Sequence, residues 1–328
     1  MAFKVGLIGL GMAVTPHAKS LLDLKDRVQV AYAFSPSAER RRKFAERFAF
    51  PQCDRLETIL DDRSVGAVLV LTPPSTHLDI AARCAAVGKH VLLEKPLEIA
   101  TARAEQLVRS CAKVKLGVVL QHRFRPAAEK LRELLPKLGA LVSASAAIPN
   151  WRPQSYYDQP GRGTRARDGG GVLLTQGIHT LDLFLSYTGE PVEVKSFATT
   201  TPVHKMETED LAVAAVRFKS GALGVVQATT TAYPGFPERI ELIGTRGTAL
   251  LEGTSLKLQV QNEPALELST DAGGGGTGAD PMAFPHDWHR GVLTDFLDAI
   301  EKNREPRVSG ADALKVHRFI DRILQSAS

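Results

Sequence analysis

The chain is poor in cysteine and in long apolar runs, and each shortage excludes a class of protein. Its 328 residues include only three cysteines, Cys53, Cys84 and Cys111, which show no metal-binding spacing and cannot all pair. We therefore expect free thiols in a reducing compartment and a cytoplasmic protein. No apolar run approaches the roughly 20 residues that a membrane-spanning helix needs. The apolar residues 3–10 lack a basic leader and a cleavage site, so a first strand explains them better.

An excess of one charge is also missing. The chain carries 41 basic and 36 acidic residues, and the resulting net charge of +5 is spread along the sequence. This distribution does not favour a nucleic-acid partner, but it is compatible with an anionic ligand such as a phosphorylated cofactor. A hydrophobic content of 44% and a charged content of 23% are typical of a globular protein. The length indicates two domains.

The first motif is a glycine turn between a strand and a helix. Residues 4–8 form a short apolar stretch that leads into Gly9-Leu10-Gly11-Met12-Ala13, and a helical pattern follows. Gly9 permits a tight turn, and Gly11 lets the backbone approach a pyrophosphate. The helix amino terminus then offers free N–H groups to the phosphates. The third glycine of the usual pattern is missing, since Val14 stands there. The strand–turn–helix context nevertheless predicts a dinucleotide site at Gly9, Gly11, Met12 and Ala13.

The second strand, residues 28–34, ends at the position that contacts the adenosine ribose in dinucleotide-binding folds. Sites selective for NAD usually have an acidic residue there. This chain has Ser35-Pro36-Ser37 followed by Arg40, Arg41 and Arg42. Serines and an arginine could hold a 2′-phosphate, so we favour NADP, bound by Ser35, Ser37 and Arg40. The alternative, that the arginines form the exposed face of a helix over residues 38–48, has nearly the same weight.

Three further strands end in polar segments. The strand at 65–71 runs into Thr72-Pro73-Pro74-Ser75-Thr76-His77, and we expect Ser75 or Thr76 to cap the next helix. The apolar run Val91–Leu93 stops at Glu94-Lys95-Pro96, and the strand at 115–120 ends at Gln121-His122-Arg123. Strands and helices that alternate at this spacing predict a doubly wound parallel sheet. Ligands bind beyond the carboxyl ends of such strands, where Lys95 could meet a small molecule.

The second half of the chain changes to period-two strands. Residues 211–218 and 222–230 flank a tight turn at Ser220-Gly221, and residues 239–243, 248–252 and 255–260 continue the pattern. They predict a large, mostly antiparallel open sheet.

The glycine turn, the segment Thr72-Pro73-Pro74…His77 and Glu94-Lys95-Pro96 occur in this order and spacing in the Gfo/Idh/MocA family, which the chain resembles over nearly its whole length. The resemblance implies an α/β protein with a Rossmann domain at residues 1–123. It further implies an α+β domain at residues 124–328, whose last helix could return to the first domain. One face of the open sheet would carry the substrate site, and the other would form a homodimer or homotetramer.

A glycine-rich segment leads into a second candidate site. Residues 169–182 are predicted to form one helix from Val172, with Thr175, His179 and Asp182 at i, i+4 and i+7 on a shared face. The family commonly has Asp-x-x-x-His here. This chain keeps His179 but has Thr175 in place of the aspartate, which puts a second acidic role in doubt.

Three further segments are considered as parts of a substrate or metal site. Trp151, Arg152, Tyr156 and Arg162 lie in a Pro/Gly-rich segment that suits a sugar, although packing in a surface loop is the alternative. Residues 273–276 are four glycines that suggest a flexible connection or a lid. Histidines 286 and 289 flank Asp287, but the sequence offers no third ligand cluster, so we expect no metal. We favour a helix entry near the substrate cleft or a purely structural role.

The predicted reaction transfers a hydride between NAD(P) and a secondary alcohol or ketone of a sugar, sugar derivative or cyclic polyol, with Lys95 and His179 as catalytic residues. Two alternatives stay open: a glycosidase or lyase that uses the cofactor transiently, and a regulatory sensor that binds a dinucleotide without catalysis. The predicted cofactor-binding residues are Gly9, Gly11, Met12, Ala13, Ser35, Ser37, Arg40, Thr72, Pro73, His77, Glu94, Lys95 and Gln121. The predicted substrate-binding residues are Arg123, Trp151, Arg152, Tyr156, Arg162, Thr175 and His179.

Overall fold

The computed structural model of the chain describes residues 2–269, 277–278 and 284–327. The chain divides into two compact units, the first of Met1–Leu120 with His286–Leu314 and the second of Gln121–Pro285 with Lys315–Ser328. The boundary predicted from the sequence lies at residues 123 and 124. The later segment His286–Leu314 belongs to the first unit, whereas the sequence-based division assigns it to the second domain.

The strands follow one another along the whole chain. They are β1 (Phe3–Ile8), β2 (Val28–Phe34), β3 (Gln52–Cys53), β4 (Val65–Val70), β5 (His90–Leu93), β6 (Leu116–Val118), β7 (Leu141–Pro149), β8 (Pro191–Thr199), β9 (Leu211–Phe218), β10 (Leu223–Thr229), β11 (Arg239–Gly244), β12 (Gly247–Glu252), β13 (Ser255–Val260) and β14 (Leu266–Ser269).

The helices are distributed over both units. They are α1 (Val14–Asp23), α2 (Ala38–Ala45), α3 (Leu56–Asp61), α4 (His77–Ala86), α5 (Thr101–Ser110), α6 (Pro126–Leu134), α7 (Gln154–Tyr157), α8 (Arg165–Asp168), α9 (Val172–Thr175), α10 (Ile178–Thr188), α11 (Asp287–Glu301) and α12 (Gly310–Ser326). Short 3₁₀ turns lie at Pro74–Thr76, Gln121–Phe124 and Leu135–Leu138.

The first unit contains the predicted doubly wound sheet. Its six strands stand in the order β3-β2-β1-β4-β5-β6, and all neighbours are parallel. This is the strand order of dinucleotide-binding folds, with the reversal between β1 and β4. Apolar runs in β1, β4 and β5 are almost wholly buried, as expected for strands covered on both faces. The fold-class prediction is confirmed.

The second unit contains an eight-stranded sheet in the order β14-β13-β12-β11-β7-β10-β9-β8. Only the pair β10–β7 is parallel, and the other pairs are antiparallel. Alternate residues of β9, such as Ala212, Ala214 and Val216, are buried, while the intervening positions are exposed. The large open sheet predicted from period-two patterns is therefore present. Strands β7, β8 and β14, which were not predicted from the sequence, lie in it as well.

Two local predictions are wrong. The stretch from Val172 is not one helix, because α9 ends at Thr175 and α10 begins only at Ile178. The amide of Gly177 turns back to the carbonyl of Val172 at 2.7 Å and interrupts the helical ladder. Thr76 also does not cap α4 with its side chain, since its hydroxyl donates to Pro73 and contacts the Thr72 hydroxyl.

The glycine-rich entry to α9 has a packing cause. A Cβ on Gly171 would lie 1.8 Å from the carbonyl oxygen of Glu209. Glu209 instead caps the entry: its carbonyl accepts from Val172, and its carboxylate accepts from the amides of Gly171 and Leu173. Burial raises the pKa of this carboxyl, and the amide donors only partly offset the effect. Close approach to a neighbouring backbone therefore explains Gly171.

The three cysteines are free thiols in the structure. Burial raises the pKa of Cys84 to about 12 and that of Cys111 to about 11. Both thiols are therefore protonated near neutral pH and act as small apolar core residues. The predicted glycine lid at 273–276 lies outside the described residues.

We expect Gly171→Ala to destabilise the protein by about 3 kcal/mol or more, because the added methyl group overlaps a backbone carbonyl that cannot swing aside. Gly11→Ala is the matched control, since a Cβ there would meet nothing within 4 Å. Urea denaturation of both variants measures the difference. Equal midpoints for the two would show that the contact with Glu209 is not limiting.

Candidate functional site

The turn after β1 has the features that a dinucleotide needs. Gly9 adopts φ +104°, and a Cβ there would lie 2.9 Å from the carbonyl carbon of Leu71, so the fold itself requires this glycine. Gly11 is different, because a Cβ would meet no atom of the protein within 4 Å. The open space over Gly11 therefore fits a ligand that approaches the backbone. No side chain caps the amino terminus of α1 and its first turn carries no acid, so this end suits an anion. Met12 is half-exposed beside it, and Ala13 immediately precedes the helix.

The segment after β2 is partly committed to local structure. Ser35 is buried, and its carbonyl accepts from the Arg41 guanidinium at 2.6 Å. The Ser37 hydroxyl caps α2 by accepting from the amide of Arg40. The Arg40 side chain is exposed. Of the three predicted groups, the Arg40 guanidinium is thus the best placed to reach a phosphate in solvent.

His77 holds the two turns that follow β4 and β5. It is fully buried, with Nε2 at 2.8 Å from the carbonyl of Thr72 and Nδ1 at 3.0 Å from that of Pro96. Burial lowers the pKa of His77, although these carbonyls oppose the shift. Its ring nitrogens are directed at the backbone. His77 therefore links the turn at Thr72 to the turn at Pro96, and its contact with the cofactor stays a prediction.

Strand β5 ends at Leu93, and Glu94 and Lys95 follow it at the carboxyl edge of the sheet. The Glu94 carboxylate contacts His17 Nε2 at 2.7 Å and accepts from the Lys95 amide at 3.1 Å. Burial acts to raise the pKa of Glu94, but the hydrogen bond from His17 and nearby positive charge hold it below its usual value. Glu94 is therefore a buried carboxylate at neutral pH. Lys95 itself is half-buried.

His17, Glu94 and His289 form the only group of three metal-binding side chains found among residues 2–269, 277–278 and 284–327, with ligand atoms within 4.8 Å of one another. His289 thus has partners that the sequence did not reveal. His286 is elsewhere engaged, at 2.9 Å from Asp23. Two ligands of one tetrahedral zinc ion lie about 3.3 Å apart, given bonds of about 2.0 Å. The 2.7 Å contact between His17 and Glu94 is shorter and is that of a hydrogen bond.

In the second unit, α10 carries His179 and Asp182. The His179 ring stacks on that of His122, with centroids 4.9 Å apart and planes inclined by 28°. Asp182 is engaged by Arg123 in a buried bidentate pair at 2.7 and 2.6 Å. Arg123 therefore fixes α10 against the turn at Gln121–Phe124, and its contact with substrate stays a prediction.

His122 is held from its other side. Arg125 lies 2.5 Å from His122 Nε2 and 3.3 Å from the Glu238 carboxylate, and all three side chains are buried. Because a guanidinium can only donate, His122 accepts at Nε2 and carries its proton on Nδ1. The sequence reading missed His122, Arg125 and Glu238, because a 113-residue separation between Arg125 and Glu238 leaves no local pattern.

Thr175, which stands where the family commonly has aspartate, is directed at its own helix. Its hydroxyl donates to the Gly171 carbonyl at 2.6 Å and also contacts Gln176. Because Thr175 ends α9 and His179 lies in α10, the two do not share one continuous helical face. Gln121, the last predicted cofactor residue, is buried, and its Oε1 has no hydrogen-bond partner in the described part of the chain.

The loop before α7 contains both fixed and available groups. Arg152 is buried, and its guanidinium donates to the carbonyls of Trp151, Thr277 and Gly278. The carbonyl of Arg152 accepts from His204 Nε2 at 2.8 Å, and His204 Nδ1 pairs with buried Asp210. Arg152 therefore anchors the loop.

The segment from α7 onward presents a cation over an aromatic ring, since Tyr156 lies in α7 and Arg162 follows that helix. The Arg162 guanidinium lies 5.0 Å from the centroid of the Tyr156 ring, and both side chains are half-buried. The Trp151 indole packs edge-on against Tyr233. Arginine and aromatic faces of this kind suit the hydroxyls and C–H face of a carbohydrate.

Comparison with known proteins agrees with the two units. A model described as oxidoreductase family, NAD-binding Rossmann fold, matches residues 3–122, and the GFO/IDH/MocA C-terminal domain matches residues 129–250. The chain belongs to the GFO/IDH/MocA family of oxidoreductases. The predictions of the family and of a nicotinamide-dependent enzyme are confirmed.

Among curated relatives, myo-inositol 2-dehydrogenase of Thermotoga maritima is 29% identical, over 94% of this chain and 91% of that protein. D-xylose 1-dehydrogenase (NADP(+)) 2 of Haloferax volcanii is 27% identical, over 83% and 81%. Among solved structures, levoglucosan dehydrogenase in complex with NADH and levoglucosan has a TM-score of 0.87 at 22% identity, covering 100% of this chain and 97% of that one. The last similarity concerns the fold. None of the helices in the described residues has the length and apolar content needed to cross a bilayer.

We expect Gly11→Ala to weaken NAD(P)H binding at least tenfold while the unfolding midpoint without cofactor stays unchanged. The reason is that the added methyl group enters space which the protein leaves empty. Fluorescence titration and thermal unfolding measure the two quantities. A variant with native affinity would remove Gly11 from the phosphate site.

Proposed function

We propose that the protein interconverts a secondary alcohol and the corresponding ketone of a sugar, sugar derivative or cyclic polyol, with NAD(P) as redox partner. The observation that carries this proposal is the position of Lys95. It follows β5 at the same carboxyl edge of one parallel sheet at which β1 ends in the Gly9–Gly11 turn. The curated relatives named above act on inositol and xylose, which supports the substrate class.

The proposed cofactor site consists of the Gly9–Ala13 turn, the amino terminus of α1, and groups after β2, β4 and β5. When bound, NAD(P) supplies the acceptor or donor for the electron pair of the substrate C–H bond. Lys95 has the role of stabilising negative charge that develops on the reacting oxygen. His179, stacked on His122, has the role of taking the hydroxyl proton and returning it in the reverse direction.

We assign substrate recognition in the second unit to Trp151, Tyr156 and Arg162. Their aromatic and guanidinium groups are half-buried rather than fully buried. Arg152 donates to loop carbonyls and Arg123 donates to Asp182, so we assign both residues to positioning the elements that carry the substrate site. Thr175 has no carboxylate for acid–base chemistry, so we assign the proposed proton transfer to His179 alone.

We expect Lys95→Ala to lower kcat at least 100-fold while the NAD(P)H dissociation constant changes by less than about threefold, because charge develops only in the transition state. Lys25→Ala, at an exposed position, is the control. Turnover of myo-inositol, xylose and levoglucosan with either cofactor is the assay. Equal losses of turnover and cofactor affinity would make Lys95 a binding residue only.

In the same assay, His179→Ala should lower kcat and remove one limb of its pH profile. An unchanged profile would exclude His179 from proton transfer. Cofactor binding without turnover of any polyol or sugar would favour the sensor function instead.

We further propose that NADP is preferred over NAD. The support is the absence of an acid after β2 and the exposed guanidinium of Arg40. Parallel fluorescence titrations with NADPH and NADH should give at least tenfold tighter binding of NADPH, and Arg40→Ala should reduce that ratio. A ratio near one, or tighter binding of NADH, would contradict the preference. The solved levoglucosan dehydrogenase complex contains NADH, so a preference of this protein for NADPH would distinguish it from that enzyme complex.

We propose that the outer face of the eight-stranded sheet forms a homodimer or homotetramer. Phe197 is 71% exposed, and Leu223 and Val225 are 52% and 51% exposed on the same sheet. Apolar surface of this kind commonly marks a protein interface. Phe197→Lys should therefore lower the mass measured by light scattering, whereas Glu46→Lys in the first unit should not. An unchanged mass for Phe197→Lys would place the interface elsewhere, or nowhere.

A further inference from the structure

Next to Lys95 in the first unit lies a buried cluster drawn from three separate elements. His17 comes from α1, Glu94 follows β5, and His289 comes from α11, with exposures of 1%, 9% and 3%. Neither histidine entered the proposed reaction. A buried carboxylate with two histidine neighbours is costly unless its hydrogen bonds are satisfied, so its partners indicate what it does.

The hydrogen bonds of Glu94 are divided between two partners. Oε1 lies 2.7 Å from His17 Nε2, and Oε2 accepts from the backbone amide of Lys95 at 3.1 Å. Because an ionised carboxylate can only accept, His17 donates from Nε2. His17 Nδ1 is buried without a hydrogen-bond partner among the described residues, which suits a bare acceptor better than an N–H group.

His289 completes the cluster as a neutral ring. Burial and the neighbouring His17 lower its pKa to about 3, against the opposing effect of Glu94. The two imidazoles meet edge to face with centroids 5.0 Å apart. The other titratable groups that act on this cluster are Lys95 and His286, and His286 is paired with Asp23. The only negative charge in the cluster is therefore that of Glu94.

His17 also belongs to the helix that begins at the phosphate-binding turn. It lies three positions after Val14, the first residue of α1, and Gly11 lies three positions before Val14. The hydrogen bond between His17 and Glu94 thus joins α1, the helix of the proposed cofactor site, to the segment after β5 that contains Lys95. Glu94 was predicted to contact the cofactor, but its oxygens are engaged by His17 and by the Lys95 amide.

We propose that His17 and Glu94 are positioning residues for Lys95: His17 holds the Glu94 carboxylate, and that carboxylate fixes the Lys95 main chain relative to α1. The inference rests on the proposed function of Lys95 and adds the residues through which the cofactor helix sets its position. His289 packs against His17 and keeps the ring in place.

The decisive comparison is between His17→Leu and His17→Gln. Leucine removes the donor, whereas the glutamine amide can still donate to Glu94. We expect His17→Leu to lower kcat at least tenfold, with the dissociation constant of NAD(P)H within about threefold of native and His17→Gln close to native in both. The acid limb of kcat should move to higher pH in His17→Leu, because Glu94 loses the donor that lowers its pKa. His90→Gln, at the opposite end of β5, is the control and should match native.

Glu94→Gln covers the possibility that His17→Leu does not fold. It keeps the shape of the side chain but removes the charge, so kcat should fall and the part of the acid limb that Glu94 contributes should be absent, while the limb due to His179 stays. Equal kcat and acid limbs for His17→Leu, His17→Gln and the native protein would overturn the proposal. A loss confined to the unfolding midpoint or to cofactor affinity would overturn it as well.

Lys95→Ala in the same assay separates this inference from the proposed function. If Lys95→Ala abolishes turnover and His17→Leu has native kcat, the positioning role alone is wrong. If Lys95→Ala has native turnover, the proposed function of Lys95 is wrong, and the positioning role with it. A readout independent of activity is the long-range ¹H–¹⁵N spectrum of the histidine rings, with His17 assigned by its loss in His17→Gln. A proton on Nε2 supports the proposal, and a proton on Nδ1 alone overturns it.

Discussion

Parallel pairing of β1, β4 and β5 is the constraint on which the first unit depends. Because neighbouring parallel strands end at one edge, the residues that follow each strand are collected there, whatever their separation in the sequence. The Gly9–Gly11 turn, Thr72 and Lys95 all follow strand ends of this sheet. Apolar strands, buried on both faces, hold the edge in place, and His77 ties two of its turns together through their carbonyls.

The second unit depends on buried polar pairs more than on strand ends. Arg123 with Asp182, Arg125 with Glu238, and His204 with Asp210 each hold a loop or helix next to a proposed substrate residue. Such pairs are costly to bury. Arg123 with Asp182 and His204 with Asp210 are joined by contacts of 2.6 to 2.8 Å, whereas Arg125 lies 3.3 Å from Glu238. They fix His179 and the Arg152 loop. The groups left for a ligand in this unit are therefore fewer than the sequence suggested.

The candidate site was predictable where its chemistry depends on neighbours in the sequence. The strand–turn–helix at Gly9, the Glu94-Lys95-Pro96 stop and the alternation of β9 are local patterns, and the structure contains each of the elements they predict. Prediction failed where a distant group decides. Glycine is required at position 171 because the Glu209 backbone packs against it. The helix breaks between α9 and α10 because the Gly177 amide donates to the Val172 carbonyl, and helical periodicity alone therefore predicted too long a helix.

The sequence by itself determined the parallel sheet of the first unit, the glycine turn after β1 and the lysine that follows β5, because hydrophobic period and glycine spacing encode local backbone geometry. Only the tertiary structure decided which polar residues form their hydrogen bonds with other groups of the protein. His17 meets Glu94 across 77 positions, and Arg123 meets Asp182 across 59. No periodicity links such pairs, since they form where separate elements pack, and burial then forces each charge to find a partner.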